Sequence, residues 1–362
     1  MKKVAFLLLA LSCCAFLGSC GFKDIDKRFF VVAMGIDYTG KTETPYLVTL
    51  RLAIPATKIG EGLAESQVEQ LEAPSIAEAV RNLKSHVDKE LDFGQCRVFL
   101  FGQSLIKHSM EEPLSWLGRR RDIQLISYLA TAEPSANKVL KANPTTERIA
   151  GNAFFLTFGK EGTISPYTVT EYLFDSFRRF KEKGLDPYLP TIRFDGNSYV
   201  VEHLALLNKT KQQLMLNRRE TLLFNLSANA FAKSGIAVNY EGKRLVLYIS
   251  KVSKQVRITK DNVPTVHLRL KIQGMVEQTA VTLMNRNIPQ VEKLLENHFN
   301  ANTERLLAKI RDAGVDPYGF GLHYLAQYFG DEQDWKHWRE VYPQVKFDVT
   351  SRVVIDSTGL IR

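Results

Sequence analysis

Two short segments carry residue types and spacings that are associated with catalysis. The first, residues 35–42, matches the pattern G-x-x-x-x-G-K-[ST] of phosphate-binding loops. Such a loop needs a strand before it and a helix after it, because the amino end of the helix helps to hold the phosphates. Residues 43–50 are strand-like and show no helical stripe. We therefore predict a hairpin turn at Gly40 and no nucleotide site.

The second segment is Ser104-Leu105-Ile106-Lys107, which has the S-x-x-K spacing of penicillin-recognising enzymes, where the lysine helps to activate the serine. The companion motifs Ser-Asp-Asn and Lys-Thr-Gly are absent from the sequence, as are Gly-x-Ser-x-Gly and His-Glu-x-x-His. The histidines are scattered, and no Cys/His spacing is typical of zinc sites. We predict no catalytic residue, no cofactor and no metal site, although sequence alone cannot identify a pair of catalytic carboxylates.

The amino terminus has the pattern of an exported lipoprotein. A positively charged start precedes an apolar run over residues 4–17, and Leu17-Gly18-Ser19 leads into Cys20. These are the marks of a secretory signal, and the cysteine that follows resembles the lipobox cysteine, which is diacylglycerylated in bacterial lipoproteins. The alternative is an uncleaved membrane helix over residues 4–22. Its Ser, Cys and Gly residues make a poor span, so we predict cleavage after residue 19 and lipid attachment at Cys20.

Cysteine usage fits this prediction. Cleavage removes Cys13 and Cys14, acylation occupies Cys20, and Cys96 remains in a strand-like run, where we expect a small buried hydrophobic residue. One remaining thiol forms no intramolecular disulfide. A diacylglyceryl group has two acyl chains, which hold a protein stably where a single chain is marginal. We therefore expect residues 20–362 to be tethered to a membrane from outside.

Two clusters each have an ordinary and a functional interpretation. Arg119, Arg120 and Arg121 form a dense basic run, which either is a solvated face or contacts anionic headgroups of the membrane. Trp335 and Trp338 share one helical face, and they either pack in the core or anchor a partner. The net charge of +9 fits an anionic surface, but it does not by itself indicate nucleic acid, and we expect none as a partner.

The elements that must position these residues alternate along the chain. Hydrophobic residues make up 45% and charged residues 24% of the 362, which excludes a disordered chain and a polytopic membrane protein. A hydroxyl residue followed three residues later by glutamate, at Ser75 and Thr168, marks two helix starts. Apolar spacing predicts helices at 75–91, 134–142, 168–184, 220–230 and 287–313, and strands at 29–34, 46–54, 96–101, 123–131, 199–207, 214–216, 236–240, 245–249, 252–258, 265–273 and 345–355.

This alternation predicts a mixed α/β protein with more than one domain. The proline-containing stretch 186–190 is our predicted boundary. Residues 1–19 are then the signal peptide, residues 20–190 the N-terminal region and residues 191–362 the C-terminal domain. We find no convincing internal repeat.

Several segments follow one another in an informative order. They are residues 20–28, 32–37, 96–101, 203–208 and 264–274 with Glu277, then 316–321, Trp335, Trp338, Tyr342-Pro343 and Gly359. Together with the lipobox, this order resembles the Ger(x)C lipoproteins, the C subunits of nutrient germinant receptors in endospore-forming bacteria, along essentially the whole mature chain. One departure is Gly21-Phe22, where many members carry tryptophan after the cysteine.

The resemblance implies an ectodomain of three mixed α/β domains without enzymatic activity. It places the chain on the outer leaflet of the spore's inner membrane, beside integral membrane subunits of the A and B types, with a role in receptor assembly or signalling. Of the family's functional residues, only lipid attachment at Cys20 carries over. Two alternatives remain: a substrate-binding lipoprotein of an importer, with two similar lobes around a cleft, and a cell-wall enzyme.

Overall fold

The computed structural model describes residues 27–53, 66–144, 150–159, 164–281, 283 and 286–358. In these ranges the chain forms two mixed sheets with helices packed on them, which confirms the predicted α/β class. The resemblance implies three domains, whereas the described residues form two sheets. The difference arises because the strands around and beyond residue 190 extend the first sheet.

The first sheet has nine strands, and its centre is parallel. β1, β5, β6 and β7 run in the same direction, so their amino ends lie at one edge of the sheet. Antiparallel hairpins flank this centre, and β4 pairs with the start of β1. The order is β3-β2-β1-β5-β6-β7-β8-β9. The strands are β1 (Arg28–Tyr38), β2 (Tyr46–Ala53), β3 (Ser66–Ala73), β4 (Glu90–Asp92), β5 (Val98–Gly102), β6 (Tyr128–Glu133), β7 (Tyr188–Phe194), β8 (Tyr199–Leu207) and β9 (Gln212–Leu216).

Helices cover both faces of this sheet. One apolar core contains residues of α1 (Ile76–Leu83), α2 (Gln103–His108) and α3 (Glu111–Arg119), and the other contains residues of α4 (Ala136–Lys141) and α5 (Ala150–Phe158). Close packing of α4 depends on Gly35, because a Cβ there would lie 2.7 Å from Leu140 Cδ1. A further helix, α6 (Leu173–Lys181), leads towards β7.

The second sheet has four strands, in the order β10-β11-β12-β13. Its first two pairs are antiparallel and the last pair is parallel. The strands are β10 (Ser234–Tyr240), β11 (Lys243–Ile258), β12 (Thr265–Gln278) and β13 (Lys346–Ser357), and the accompanying helices are α7 (Arg218–Asn229), α8 (Ile288–Asp312), α9 (Phe320–Tyr328) and α10 (Glu332–Val341).

Helix α8 covers the free edge of β13 with a row of polar side chains. Glu292, Glu296, Asn300 and Glu304 are four residues apart and accept the backbone N–H groups of alternate β13 residues at 2.9 to 3.2 Å. Four helical residues rise about 6 Å and two strand residues about 6.6 Å, so the two spacings nearly match. The row therefore satisfies edge N–H groups that are otherwise open to pairing with another strand.

Most predicted elements are present, with several corrections. The strands predicted at 245–249 and 252–258 form the single strand β11, and the strand predicted at 123–131 begins at Tyr128. The first predicted helix ends at Leu83, and Leu91 belongs to β4. Its cap is as predicted, since the Ser75 side chain accepts the N–H of Glu78. The predicted cap at Thr168 is wrong: the helix begins at Leu173, and Glu171 is buried. The predicted domain boundary at residue 190 falls within β7, and it stays a prediction.

Candidate functional site

The segment that matches a phosphate-binding loop is the end of a hairpin. β1 leads into β2 through a turn in which Gly40 has a φ of 78°, as predicted. Asp37 lies in this segment and is buried, and its carboxylate accepts the N–H groups of Ala136 and Asn137 at 2.8 Å each. Burial raises the pKa of Asp37, and these N–H groups partly offset the rise. The segment thus fixes α4 on the sheet.

The serine and lysine of the S-x-x-K segment both lie on α2 and are exposed. The Ser104 hydroxyl accepts the N–H of Tyr38 at 3.2 Å. Cys96 is fully buried, as predicted, and burial raises the pKa of its thiol well above the usual range. In the described ranges, no three His, Cys, Asp or Glu side chains are grouped so that they could hold a metal ion.

A five-residue pattern occurs twice, and the structure brings its two copies together. Residues 184–188 read Gly-Leu-Asp-Pro-Tyr and residues 314–318 read Gly-Val-Asp-Pro-Tyr. Each copy follows a helix, α6 or α8, and begins with a glycine in the left-handed region, with φ values of 68° and 71°. The pattern is too short to stand out as an internal repeat in the sequence. The repeated Asp-Pro-Tyr was the signal that could have found it.

The two aspartates of the pattern bind each other's backbone. Asp186 N–H donates to the carbonyl of Asp316 at 2.8 Å, and Asp316 N–H donates to the carboxylate of Asp186 at 2.7 Å. The carboxylate of Asp316 then accepts the N–H groups of Phe320 and Gly321, at 3.0 and 2.7 Å, at the start of α9. We call the two copies with their contacts the Asp-Pro-Tyr junction.

Burial determines the electrostatics of the Asp-Pro-Tyr junction. Burial raises the pKa of Asp316 to about 7, and the N–H donors of Gly321 and Phe320 oppose that rise. Burial also raises the pKa of Glu171 to about 8, although the Arg179 guanidinium lies 3.7 Å away. Both acids therefore tend to keep a proton well above the usual pKa of a carboxyl group.

Two cations, Arg179 and Lys209, hold the carboxyl end of α6, which directly precedes the first copy. Arg179 donates to the carboxylate of Asp175 at 2.9 Å and to the carbonyl of Pro317 at 3.2 Å. Lys209 donates to the carbonyls of Arg179 and Glu182, at 2.5 and 2.7 Å. A charged donor that satisfies the free carbonyls at the end of a helix is a favourable arrangement.

The tyrosines of the two copies share one aromatic neighbour. Phe224 on α7 lies edge-on to Tyr188, with ring centroids 5.3 Å apart, and edge-on to Tyr318 at 5.1 Å. Asp316 is buried, and its carboxylate accepts one backbone N–H on each oxygen. The Asp-Pro-Tyr junction therefore fixes the start of β7 against α9, and it joins the two sheets.

The two tryptophans have different environments. Trp338 is 2% exposed and stacks on Tyr324, with centroids 5.0 Å apart. A Cβ on Gly321 would lie 2.6 Å from Trp338 Nε1, so this glycine makes room for the indole. Burial favours the core-packing interpretation for Trp338, whereas Trp335 is half-buried. A partner-facing role stays a prediction for Trp335.

The three arginines also differ. Arg120 forms an ion pair with Asp122 and lies over the rings of Phe93 and Trp116, at 4.8 and 5.3 Å from their centroids. It is therefore held in place by its own neighbourhood. Arg119, at the end of α3, and Arg121 are exposed. Contact with headgroups stays a prediction for these two.

Cys20 and residues 1–19, the predicted signal peptide, lie outside the described residues. Between Lys27 and Thr358, in the described ranges, no helix combines the length and the apolar character needed to cross a bilayer. A groove of about 1070 Å³ lies between α7, α8 and β10, and Arg218, Arg244, His298 and Leu294 are among its lining residues.

Comparisons with known proteins agree with the fold and with the order of segments. The family model "Spore germination protein N-terminal domain" matches residues 21–194, and "Spore germination B3/ GerAC like, C-terminal" matches residues 202–359. The spore germination protein GerQC of Bacillus cereus is 23% identical over 369 residues, 99% of each chain. The crystal structure of the GerBC protein has the same fold, with a TM-score of 0.61 at 14% identity over 90% of this chain and 97% of that one. Since the two family models cover nearly the whole sequence, this chain belongs to the Ger(x)C family of spore germination proteins.

Proposed function

We propose that this chain is the C subunit of a nutrient germinant receptor, held on the outer face of the spore's inner membrane by a diacylglyceryl group on Cys20. Family membership carries the proposal, because both family models and the Bacillus cereus relative are described as spore germination proteins. In this role the chain assembles with integral membrane subunits of the A and B types and takes part in their signalling.

Anchoring is supported by the amino-terminal pattern. The small residues Gly18 and Ser19 precede Cys20, and the apolar run before them has the length of a signal core. Two acyl chains on one cysteine bind a bilayer stably, whereas one chain binds marginally. The net charge of +9 adds attraction to an anionic leaflet.

A role in assembly without catalysis is supported by how the buried carboxylates are used. Asp37 and Asp316 each accept two backbone N–H groups, and Glu171 accepts the hydroxyl of Ser176 at 2.9 Å. All three carboxyl groups are buried, and their contacts join segments of the fold.

The importer alternative receives no support from the fold. Its two lobes should be alike and should enclose the ligand between them. Here one sheet has nine strands and the other has four, with different orders, and the groove beside β10 lies against α7 and α8 and not between two similar lobes. Tight binding of a solute to the isolated chain, measured by calorimetry, would support the importer alternative.

The anchoring step can be tested on the chain in its own spores. We expect the intact mass of the extracted protein to correspond to residues 20–362 plus a diacylglyceryl group. We also expect Cys20→Ala to leave the membrane fraction and to lower the rate of nutrient germination, with Cys96→Ala as the control that remains attached. An unmodified Met1 terminus, or unchanged membrane attachment of Cys20→Ala, would contradict the proposal.

A further inference from the structure

The loop between α3 and β6 exposes two large aliphatic side chains. Leu125 is 56% exposed and Ile126 is 54% exposed. Phe174, at the start of α6, is 49% exposed, and its backbone N–H donates to the carbonyl of Leu125 at 3.0 Å. These three residues, which we call the apolar edge patch, therefore lie in adjacent segments. Neighbouring exposed apolar side chains, unlike scattered ones, indicate a contact surface.

Two unpaired cations of the described residues precede Leu125 by four and six positions along the chain. Arg119 and Arg121 are exposed, and neither forms an ion pair or a side-chain hydrogen bond with another residue of the described ranges. Arg120 between them is held by Asp122, so the charge of Asp122 is already compensated. Apolar side chains flanked by free guanidinium groups match the interface of an anionic bilayer, where acyl chains lie beneath phosphate groups.

The patch lies close to the point where the chain enters the first sheet. β1, β5 and β6 are parallel, so the loop before β6 and the start of β1 share one edge of the sheet. A short series of contacts joins them. Arg28 forms an ion pair with Asp92, whose carboxylate accepts the N–H of Gly94 at 2.8 Å. The carbonyl of Gly94 accepts the side chain of Gln124 at 2.7 Å, and Gln124 precedes Leu125.

The distance along the chain from the anchor to this edge is short. Only seven residue steps separate Cys20 from Lys27, and seven extended residues span at most about 25 Å. If Cys20 carries the lipid, as the proposed function requires, the start of β1 cannot lie further than this from the bilayer surface. The edge that carries the apolar edge patch is therefore within reach of the membrane.

We infer that this edge of the first sheet rests on the bilayer, with Leu125, Ile126 and Phe174 entering the interface and Arg119 and Arg121 bound to phosphate groups of anionic phospholipids. The inference rests on the proposed lipid anchor. It adds a second contact, which fixes the orientation of the domain: the Gly40 hairpin, at the other end of β1, points away from the membrane.

Depth measurement tests the inference on the lipidated full chain. Ile126→Cys is labelled with an environment-sensitive fluorophore, because Cys20 is occupied by lipid and the buried thiol of Cys96 reacts poorly. The chain is placed in vesicles of anionic phospholipid that contain nitroxide lipids. We expect strong quenching at residue 126. The matched control is Phe329→Cys, which is 96% exposed at the end of α9 and should not be quenched.

A charge comparison gives a second measurement, on the mature chain carrying Cys20→Ser. Arg119→Gln with Arg121→Gln should lower binding to anionic vesicles by roughly tenfold or more, since each arginine near the surface contributes about 1 kcal/mol. The control pair, Arg269→Gln with Arg352→Gln, removes the same charge from exposed positions of the second sheet. Its effect should be much smaller.

The outcomes separate the inference from the proposed function. A chain that stays on vesicles through its lipid but shows no quenching at residue 126, or equal losses for both arginine pairs, would overturn the inference and leave the lipid anchor standing. If the fluorophore at residue 126 became protected from solvent only when the receptor's integral subunits were present, residue 126 would contact protein in place of lipid. That result would also overturn the inference. A chain without lipid would instead refute the proposed function.

Discussion

At the scale of single residues, buried acids make the stability of the Asp-Pro-Tyr junction depend on pH. The pKa of Asp316 is raised to about 7 in the folded chain, mainly by burial, against about 3.9 in an unfolded chain. Between these values the folded state holds a proton that the unfolded state has lost. The contribution of Asp316 to stability is therefore greatest below about pH 4 and is lost as the pH rises through about 7.

We expect Asp316→Asn to remove this loss. The variant gives up one good acceptor for a backbone N–H of α9, which costs about 1–3 kcal/mol. Its deficit relative to the wild type should be largest near pH 5 and should shrink towards pH 8, as measured by urea unfolding across that range. Acids with a lowered pKa, such as Asp175, make the free energy of unfolding rise with pH. This contribution is the same in both proteins, so it cancels when the variant is compared with the wild type. A deficit that is the same at every pH would refute this assignment.

The residue scale also shows where short patterns fail as predictors. Ser75 and Thr168 are both followed by a glutamate three residues later, and only Ser75 caps its helix. Glu78 is exposed and free to serve a helix start, whereas Glu171 is buried beside Arg179 and Ser176. The sequence pattern covers only neighbouring residues. The interactions that engage Glu171 come from the tertiary structure, which the pattern does not contain.

At the scale of elements, the two glycines of the Asp-Pro-Tyr junction offer a matched comparison. Both have φ near 70°, so alanine at either position costs about 1–2 kcal/mol of backbone strain. A Cβ at Gly184 would also lie 2.4 Å from the backbone N of Leu322, while a Cβ at Gly314 meets nothing within 4 Å. We expect Gly184→Ala to lower the free energy of unfolding by at least about 1 kcal/mol more than Gly314→Ala. Equal losses would mean that the close approach of α9 to residue 184 is not maintained in solution.

The row of acceptors on α8 gives a second prediction at this scale. Glu296→Ala leaves the N–H of Val353 without its partner, which should cost about 1 kcal/mol. Glu296→Gln keeps a carbonyl acceptor and should cost less, and exchange of the Val353 amide hydrogen should accelerate only in the alanine variant. Fast exchange in the wild type would show that the side chain does not protect this edge. The apolar stripe of α8 predicted the helix. The role of its polar row as acceptors for β13 could not be predicted, because the sequence does not show that β13 lies beside α8.

At the scale of the whole molecule, periodicity predicted the class of fold and most of its elements. What it could not predict is how distant segments combine: β7, β8 and β9 complete the first sheet, and two short Asp-Pro-Tyr segments meet across the junction. Lipid attachment at Cys20 is predicted from a processing pattern that lies entirely within the sequence, and it stays a proposal. Trp338 is buried, and Arg120 is held by neighbouring side chains. Both outcomes depend on packing, which the sequence does not reveal.

Isolation of the chain from spore membranes tests the central proposal most directly. A carboxyl-terminal tag on the wild-type chain should recover integral membrane subunits of the A and B types, identified by mass spectrometry. The same tag on Cys20→Ala should recover much less of them, because the unanchored chain no longer shares their membrane. If the wild-type chain is recovered from the membrane without any such subunit, it does not act as part of a germinant receptor.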